Sequence, residues 1–286
     1  MEHIYIPVLI FIGLGVVMGA LLAVASRIFA VPRNEKAEAI AECLPGANCG
    51  GCGYSGCAAL AQAISKGEAK VNACTVGGAE VADKIAGIMG VEAAPTVRMR
   101  AQVMCSGTSE YARKKYIYDG VADCIAASRI GGGDKLCKNG CIGLGTCVKA
   151  CPFEAISVVQ GVAVVDYKKC RGCGVCVAAC PKSIIRLIPF DAKHWVGCMS
   201  VDDGKNTRKV CDVGCISCKL CQRNCPEGAI VVDSFVAHID YAKCVGCGKC
   251  VEKCPRHIIW SGERQGEYGL VIKRVTPDKP DKTKAS

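Results

Sequence analysis

The sequence predicts an α+β chain in which one apolar helix precedes several small modules held together by cysteine rather than by a large core. Three observations carry that prediction. No charged side chain lies between positions 4 and 26. Twenty-five of the 286 residues are cysteine, most of them in the spacing Cys-x2-Cys-x2-Cys-x3-Cys-Pro. Aromatic residues make up only 5%, too few for several ordinary cores, so metal ligation has to replace the missing apolar burial.

The first element is the uncharged stretch 4–26, long enough to cross a bilayer as one helix. Only Glu2 and His3 precede it, whereas Arg27, Arg33 and Lys36 follow. The positive-inside rule then puts the carboxyl-terminal bulk on the cytoplasmic side. Gly15-Val16-Val17-Met18-Gly19 is a small-xxx-small stripe that lets another membrane helix approach. A cleaved leader ending at Ala23-Val24-Ala25 fits less well, because the positive n-region is missing and the apolar stretch is too long. Residues 1–30 are therefore expected to be an uncleaved anchor.

A charged linker is expected over 31–42. Cys49-x2-Cys52-x4-Cys57 follows, and Cys74 comes after a further sixteen residues. Residues 58–65 read as a short helix stopped at Lys66-Gly67, and 82–88 as another, giving a four-cysteine module over 31–90. Glycines 50, 51, 53 and 56 permit tight turns and leave amide N–H groups free to meet sulfur. Residues 91–136 are expected only to connect, with Gly131-Gly132-Gly133 as a hinge or loop.

An ungapped internal repeat follows, offset by 74 residues. Cys124, Cys137, Cys141, Cys147 and Cys151 match Cys198, Cys211, Cys215, Cys221 and Cys225. Cys170, Cys173, Cys176 and Cys180 match Cys244, Cys247, Cys250 and Cys254, and Asp166-Tyr167 matches Asp240-Tyr241. Duplication is the economical reading, with copies at 137–190 and 191–275. Strands are expected at Ile156–Val159 and Val162–Val165 around Gln160-Gly161. The tail 276–286, with two prolines and alternating charges, should be disordered.

Runs of this spacing wrap three thiolates around one [4Fe–4S] cubane and send the fourth to a neighbouring cube. Proline after the fourth cysteine fixes φ and turns the chain toward the other half. Zinc sites draw instead on two separated pairs, and disulfide frameworks suit small secreted domains. By the crossover rule Cys215, Cys218 and Cys221 go with Cys254. Cys244, Cys247 and Cys250 go with Cys225, and Cys170, Cys173 and Cys176 with Cys151. Leu144 stands where the second copy has Cys218, so Cys141, Cys147 and Cys180 lack a partner. Cys137 is the expected fourth ligand, with a three-iron cluster as the alternative.

With Cys49, Cys52, Cys57 and Cys74 the count is about five [4Fe–4S] clusters. A sixth stays open, with Cys105, Cys124, Cys198 and Cys211 as additional candidate ligands. Cys124-x12-Cys137 and Cys198-x12-Cys211 are matching pairs whose four thiols could hold it. Cys43 reads as a buried thiol behaving as a small hydrophobe. The fold class thus reads as a single N-terminal transmembrane helix, a small [4Fe–4S] module, and two tandem two-cluster ferredoxin-like domains.

The formal charge of +10 counts every cysteine as neutral. A cubane with four thiolates carries about −2, so roughly five of them offset most of that excess. No basic run interleaved with aromatics is present, which argues against nucleic acid. His3, His194, His238 and His257 are scattered, and no Ser-His-Asp set, phosphate-binding loop or dinucleotide signature appears. No catalytic residue is expected. The chemistry is one-electron transfer tuned by the protein.

The order of one membrane helix, then the run from Leu44-Pro45-Gly46-Ala47-Asn48-Cys49 through Gly50-Gly51-Cys52-Gly53-Tyr54-Ser55-Gly56-Cys57, then ferredoxin-type runs, closely resembles the B subunit of the Rnf ion-translocating electron-transport complex. The resemblance covers nearly the whole chain, in the long form with two bacterial-type ferredoxin domains. It implies a bacterial or archaeal inner-membrane complex that passes electrons between reduced ferredoxin and NAD, coupled to Na⁺ or H⁺ movement. The B subunit would be a single-pass cytoplasmic relay fed by soluble ferredoxin, and partner subunits would carry the flavins and the NAD site. A subunit of a soluble hydrogenase or methyl-transfer enzyme is the competing class, and the membrane helix argues against it. A purely structural metal protein is a third.

Overall fold

Residues 2–28 and 34–262 are described by the computed structural model. The tail expected to be disordered, 276–286, and the end of the second copy lie outside the described residues. Helix α1 (Glu2–Ile28) contains the span Val8–Arg27, of mean hydropathy 2.8, with none of it buried. A helix apolar on every side and uncovered by protein suits lipid.

The expected linker is instead largely helical. Asn34 caps α2 (Glu35–Cys43), its side-chain oxygen accepting from the Ala37 amide at 3.3 Å. Ala37, Ile40 and Leu44 fall on one face and are buried, while Glu35, Lys36, Glu38 and Glu42 point outward. The charges that suggested a linker are the wet face of an amphipathic helix. Helices α3 (Cys57–Ser65) and α4 (Gly78–Met89) pack against α2 around Ile40, Leu60, Ile64 and Ile85.

Next come β1 (Met99–Val103), α5 (Cys124–Arg129), α6 (Thr146–Lys149), β2 (Ile156–Val159), β3 (Val162–Val165), α7 (Val175–Ala179) and β4 (Ile185–Pro189). The second half adds β5 (His194–Val196), α8 (Gly204–Val210), α9 (Leu220–Arg223), β6 (Ile230–Asp233), β7 (Val236–Ile239), α10 (Lys249–Glu252) and β8 (Ile259–Ser261). Each half has two antiparallel two-stranded sheets. β2–β3 and β6–β7 are hairpins, and β1–β4 and β5–β8 join each half's first strand to its last. The first hairpin turns at Gln160-Gly161, both with positive φ (46° and 74°), as a tight twisted turn requires.

Strand β1 lies in the stretch expected only to connect. Val103 pairs with Ile185 and Val196 with Ile259. The Met104 amide meets the Ile184 carbonyl at 2.8 Å, as the Gly197 amide meets that of Ile258 at 2.7 Å. Since Ile184 and Ile258 are repeat partners, Cys105 corresponds to Cys198. The ungapped pairing of Cys124 with Cys198 is therefore corrected: the first half carries an insertion, Cys105-x31-Cys137 against Cys198-x12-Cys211, and Cys124 rides on it.

The insertion crosses to the second half. Ala112 bridges Cys211, and the Arg113 guanidinium reaches the Arg208 carbonyl at 2.9 Å and Asp212 at 3.2 Å. Arg100, 2% exposed, fixes the other side of the seam. It donates to the Phe190 and Ala192 carbonyls and to Gln102, and stacks 3.8 Å over the Tyr167 ring, which meets Trp195 edge-on.

Candidate iron–sulfur sites

Cys49, Cys52, Cys57 and Cys74 line one cavity of about 330 Å³ together with Pro45, Leu60 and Val76. Asn48 shapes the loop by accepting from the Cys57 amide at 2.8 Å, where α3 begins. The Gly77 amide points at the Cys74 sulfur, 3.4 Å away. Gly51 abuts the first repeat so closely that a Cβ there would lie 2.2 Å from the Cys173 carbonyl oxygen.

Behind that contact stand Cys151, Cys170, Cys173 and Cys176. Burial, and then the neighbouring Cys170, Cys173 and Cys151, push the Cys176 thiol up to about 12. The Ala101 and Ala155 amides approach the sulfurs of Cys170 and Cys151, each at 3.4 Å.

The structure brings a different fourth cysteine to the set left incomplete at Leu144. Cys141, Cys147 and Cys180 share a cavity of about 330 Å³ with Cys124, not with Cys137. Burial, and after it the neighbouring Cys124 and Cys180, raise the Cys147 thiol to about 12. Asp123 caps α5 by accepting from the Ala126 amide at 2.8 Å, and also accepts from the Thr146 hydroxyl at 2.9 Å. That hydroxyl accepts from the Cys124 amide at 2.6 Å, so the chain start of α5 is pinned to α6, which carries Cys147. Cys137 lines a separate cavity with Cys105, Cys198 and Cys211. Of the four thiols that could hold an extra cluster, Cys137, Cys198 and Cys211 are brought together, with Cys105 beside them and Cys124 elsewhere.

In the second repeat Cys215, Cys218, Cys221 and Cys254 line a cavity of about 340 Å³. Cys225, Cys244 and Cys247 surround Cys250, whose thiol burial lifts to about 11. Cys247 is the one exposed cysteine among the described residues. Cys43 packs at the rim of the α2–α3–α4 core, as a small apolar side chain would.

Among the described residues no three His, Cys, Asp or Glu side chains converge tightly enough to hold a single metal ion. The thiols ring spaces instead of meeting at a point. In a cubane each thiolate takes its own iron, whereas tetrahedral zinc holds every sulfur about 2.3 Å from one ion.

Family models match three separate segments, each rich in cysteine. Residues 44–76 match a model described as a putative Fe-S cluster, and 134–181 and 214–259 match models of 4Fe-4S dicluster domains. Thiol-ringed cavities and these matches together define an iron–sulfur protein with several cluster modules. The B subunit of an ion-translocating oxidoreductase complex from Methanosarcina acetivorans is 44% identical over 86% of this chain and 94% of its own. The B subunit of a Na(+)-translocating ferredoxin:NAD(+) oxidoreductase complex from Acetobacterium woodii is 45% identical, covering 94% and 80%. Its proton-translocating counterpart from Clostridium ljungdahlii is 39% identical, covering 85% and 87%. The chain belongs to this family, the B subunits of Rnf-type ion-translocating oxidoreductase complexes.

Proposed function

We propose that the chain is the iron–sulfur relay of an ion-translocating ferredoxin:NAD oxidoreductase complex, carrying electrons from soluble ferredoxin toward flavin-bearing membrane subunits. The observation that carries this reading is how near each thiol quartet stands to the next: Gly51, in the loop of Cys49 and Cys52, packs against the Cys173 backbone, and Cys176 lies within electrostatic reach of Cys147. Bound clusters supply reversible one-electron chemistry at iron. The ligand sets are Cys49/Cys52/Cys57/Cys74, Cys151/Cys170/Cys173/Cys176, Cys124/Cys141/Cys147/Cys180, Cys215/Cys218/Cys221/Cys254 and Cys225/Cys244/Cys247/Cys250. The last four sets make two tandem two-cluster ferredoxin-like domains, and backbone amides aimed at sulfur tune them.

The two ends differ in a way that gives the row a direction. At the Cys247 end Lys193, Lys243, Lys249 and Lys253 are exposed around an exposed thiol, a surface for an acidic one-electron donor. The Cys49 quartet follows α1 in the chain and faces the membrane partners. The positive residues after α1 put these modules on the cytoplasmic side. Relatives named for Na⁺ and for protons leave the ion to the partner subunits, since the apolar span holds no ionisable group within 4–26 apart from the Tyr5 phenol at its edge.

Anaerobic purification from membranes tests this. Brown protein with about twenty or more irons per chain, reduced by ferredoxin and co-purifying with multi-span subunits, is expected. Colourless zinc protein, or protein that ferredoxin does not reduce, refutes it.

A further inference from the structure

We infer that Cys105, Cys137, Cys198 and Cys211 hold a further [4Fe–4S] cluster on the seam between the two repeats, joining their four sites into one continuous row. This rests on the reading of the other quartets as cubane ligands. The four thiols line a single cavity, as the four thiols of each of three other quartets do. None of them belongs to another set.

The site is built twice over. Cys105 and Cys198 each stand just beyond equivalent strands, in Val103-Met104-Cys105 and Val196-Gly197-Cys198. Cys137 and Cys211 are repeat partners four residues ahead of Cys141 and Cys215. Hydrogen bonding to sulfur follows the same symmetry. The Cys141 amide points at the Cys105 sulfur and the Cys215 amide at that of Cys198, each at 3.4 Å. Amides of Asn139 and Val213, also repeat partners, face Cys137 and Cys211. Stray buried thiols pack as small hydrophobes. They do not come as two symmetry-related pairs facing one space, each with an amide on its sulfur.

A separate observation points to an anion. Lys135 lines the same cavity and is 4% exposed, yet among the described residues it has no carboxylate partner. Its ammonium donates to the Gly107 and Gly161 carbonyls, both at 2.8 Å, and its charge also reaches the Cys141 thiol next door. A buried cation needs compensating charge, and a cubane with four thiolates brings about −2. The place also matters. Cys141 belongs to the Cys124 quartet and Cys215 to the Cys254 quartet, and the backbones of both touch this site. An electron passing through leaves the cluster as it arrived, with no bond made and no proton moved.

Native mass spectrometry of the full anaerobic chain counts the cubanes directly. Six are expected; five, with or without one zinc or a disulfide among these thiols, overturns the inference while leaving the proposed function standing. No cubane at all would refute that function instead. Cys105→Ala and Cys198→Ala should each lose up to about four irons and four sulfides per chain, with Cys43→Ala unchanged. Full iron in either variant overturns the assignment. Should a variant precipitate, the wild-type count decides alone.

Discussion

Gly51 is the point at which the amino-terminal module touches the first repeat, and its substitution has a magnitude that follows from geometry. A Cβ at this position would sit 2.2 Å from the Cys173 carbonyl oxygen and 3.0 Å from its carbonyl carbon and Cβ. Real Cβ atoms essentially never come within 3.0 Å of another heavy atom, so Gly51→Ala must open the seam by roughly 0.8 Å or more. The obstructing atom is backbone, between two candidate ligands, and cannot rotate away. Overpacking of this kind costs about 1–3 kcal/mol, which weakens docking of the module roughly 5- to 150-fold. Hydrogen exchange across 44–57 and 170–176 should therefore rise together. Electron delivery from the Cys151 quartet to the Cys49 quartet, followed by freeze-quench EPR, should slow with the iron count unchanged. Wild-type protection and wild-type transfer in Gly51→Ala would refute the contact as the junction between the two quartets.

Other expectations follow from single features. Cys124→Ala should remove about one iron and leave a three-iron cluster signal, and adding Leu144→Cys at the position of Cys218 should restore it; full iron in the single variant would return Cys137 to that site. Thr146→Ala frees both Asp123 and the Cys124 amide, so it should cost about 1 kcal/mol and speed iron loss to chelator, measured by bleaching. The second hairpin turns at Ser234-Phe235 with both φ positive (46° and 66°), a conformation that strains a bulky side chain. Phe235→Gly, matching Gly161, should raise stability by about 1 kcal/mol, read from the thermal midpoint. Deleting residues 1–28 should release the chain from membranes with its iron content intact.

Much of this was legible in the spacing of cysteines. The hairpin at Gln160-Gly161 and the helix at 58–65 lie where local pattern placed them, and Cys49, Cys52, Cys57 and Cys74 line one space, because in each case the residues concerned are near neighbours in sequence. What was missed depends on distance along the chain. Strand β1 carries Arg100 and Gln102 on buried positions, which broke the apolar alternation that marks a strand; their satisfaction by Phe190, Ala192 and Tyr167 comes from residues at least 65 positions away. Cys124 matched Cys198 in an ungapped comparison because the insertion happens to place a cysteine at that offset. The signal that separates them was present: Val103-x-Cys105-Ser106 and Val196-x-Cys198 share a strand end, which Cys124 lacks.

Leu144 and Cys124 together describe a division of labour. One thiol of the quartet comes not from the tight loop that carries its companions but from a six-residue helix on a surface insertion, secured by two short hydrogen bonds to Thr146. The outer side of that insertion is apolar and wet, with Ile117, Val121 and Ile130 among the most exposed hydrophobic residues beyond α1. A neighbouring protein that pressed on this surface would be pressing on an iron ligand. The affinity and potential of that one position are therefore open to mechanical influence from outside the chain. Cys141, Cys147 and Cys180, its three companions, sit instead in the loops of the repeat itself.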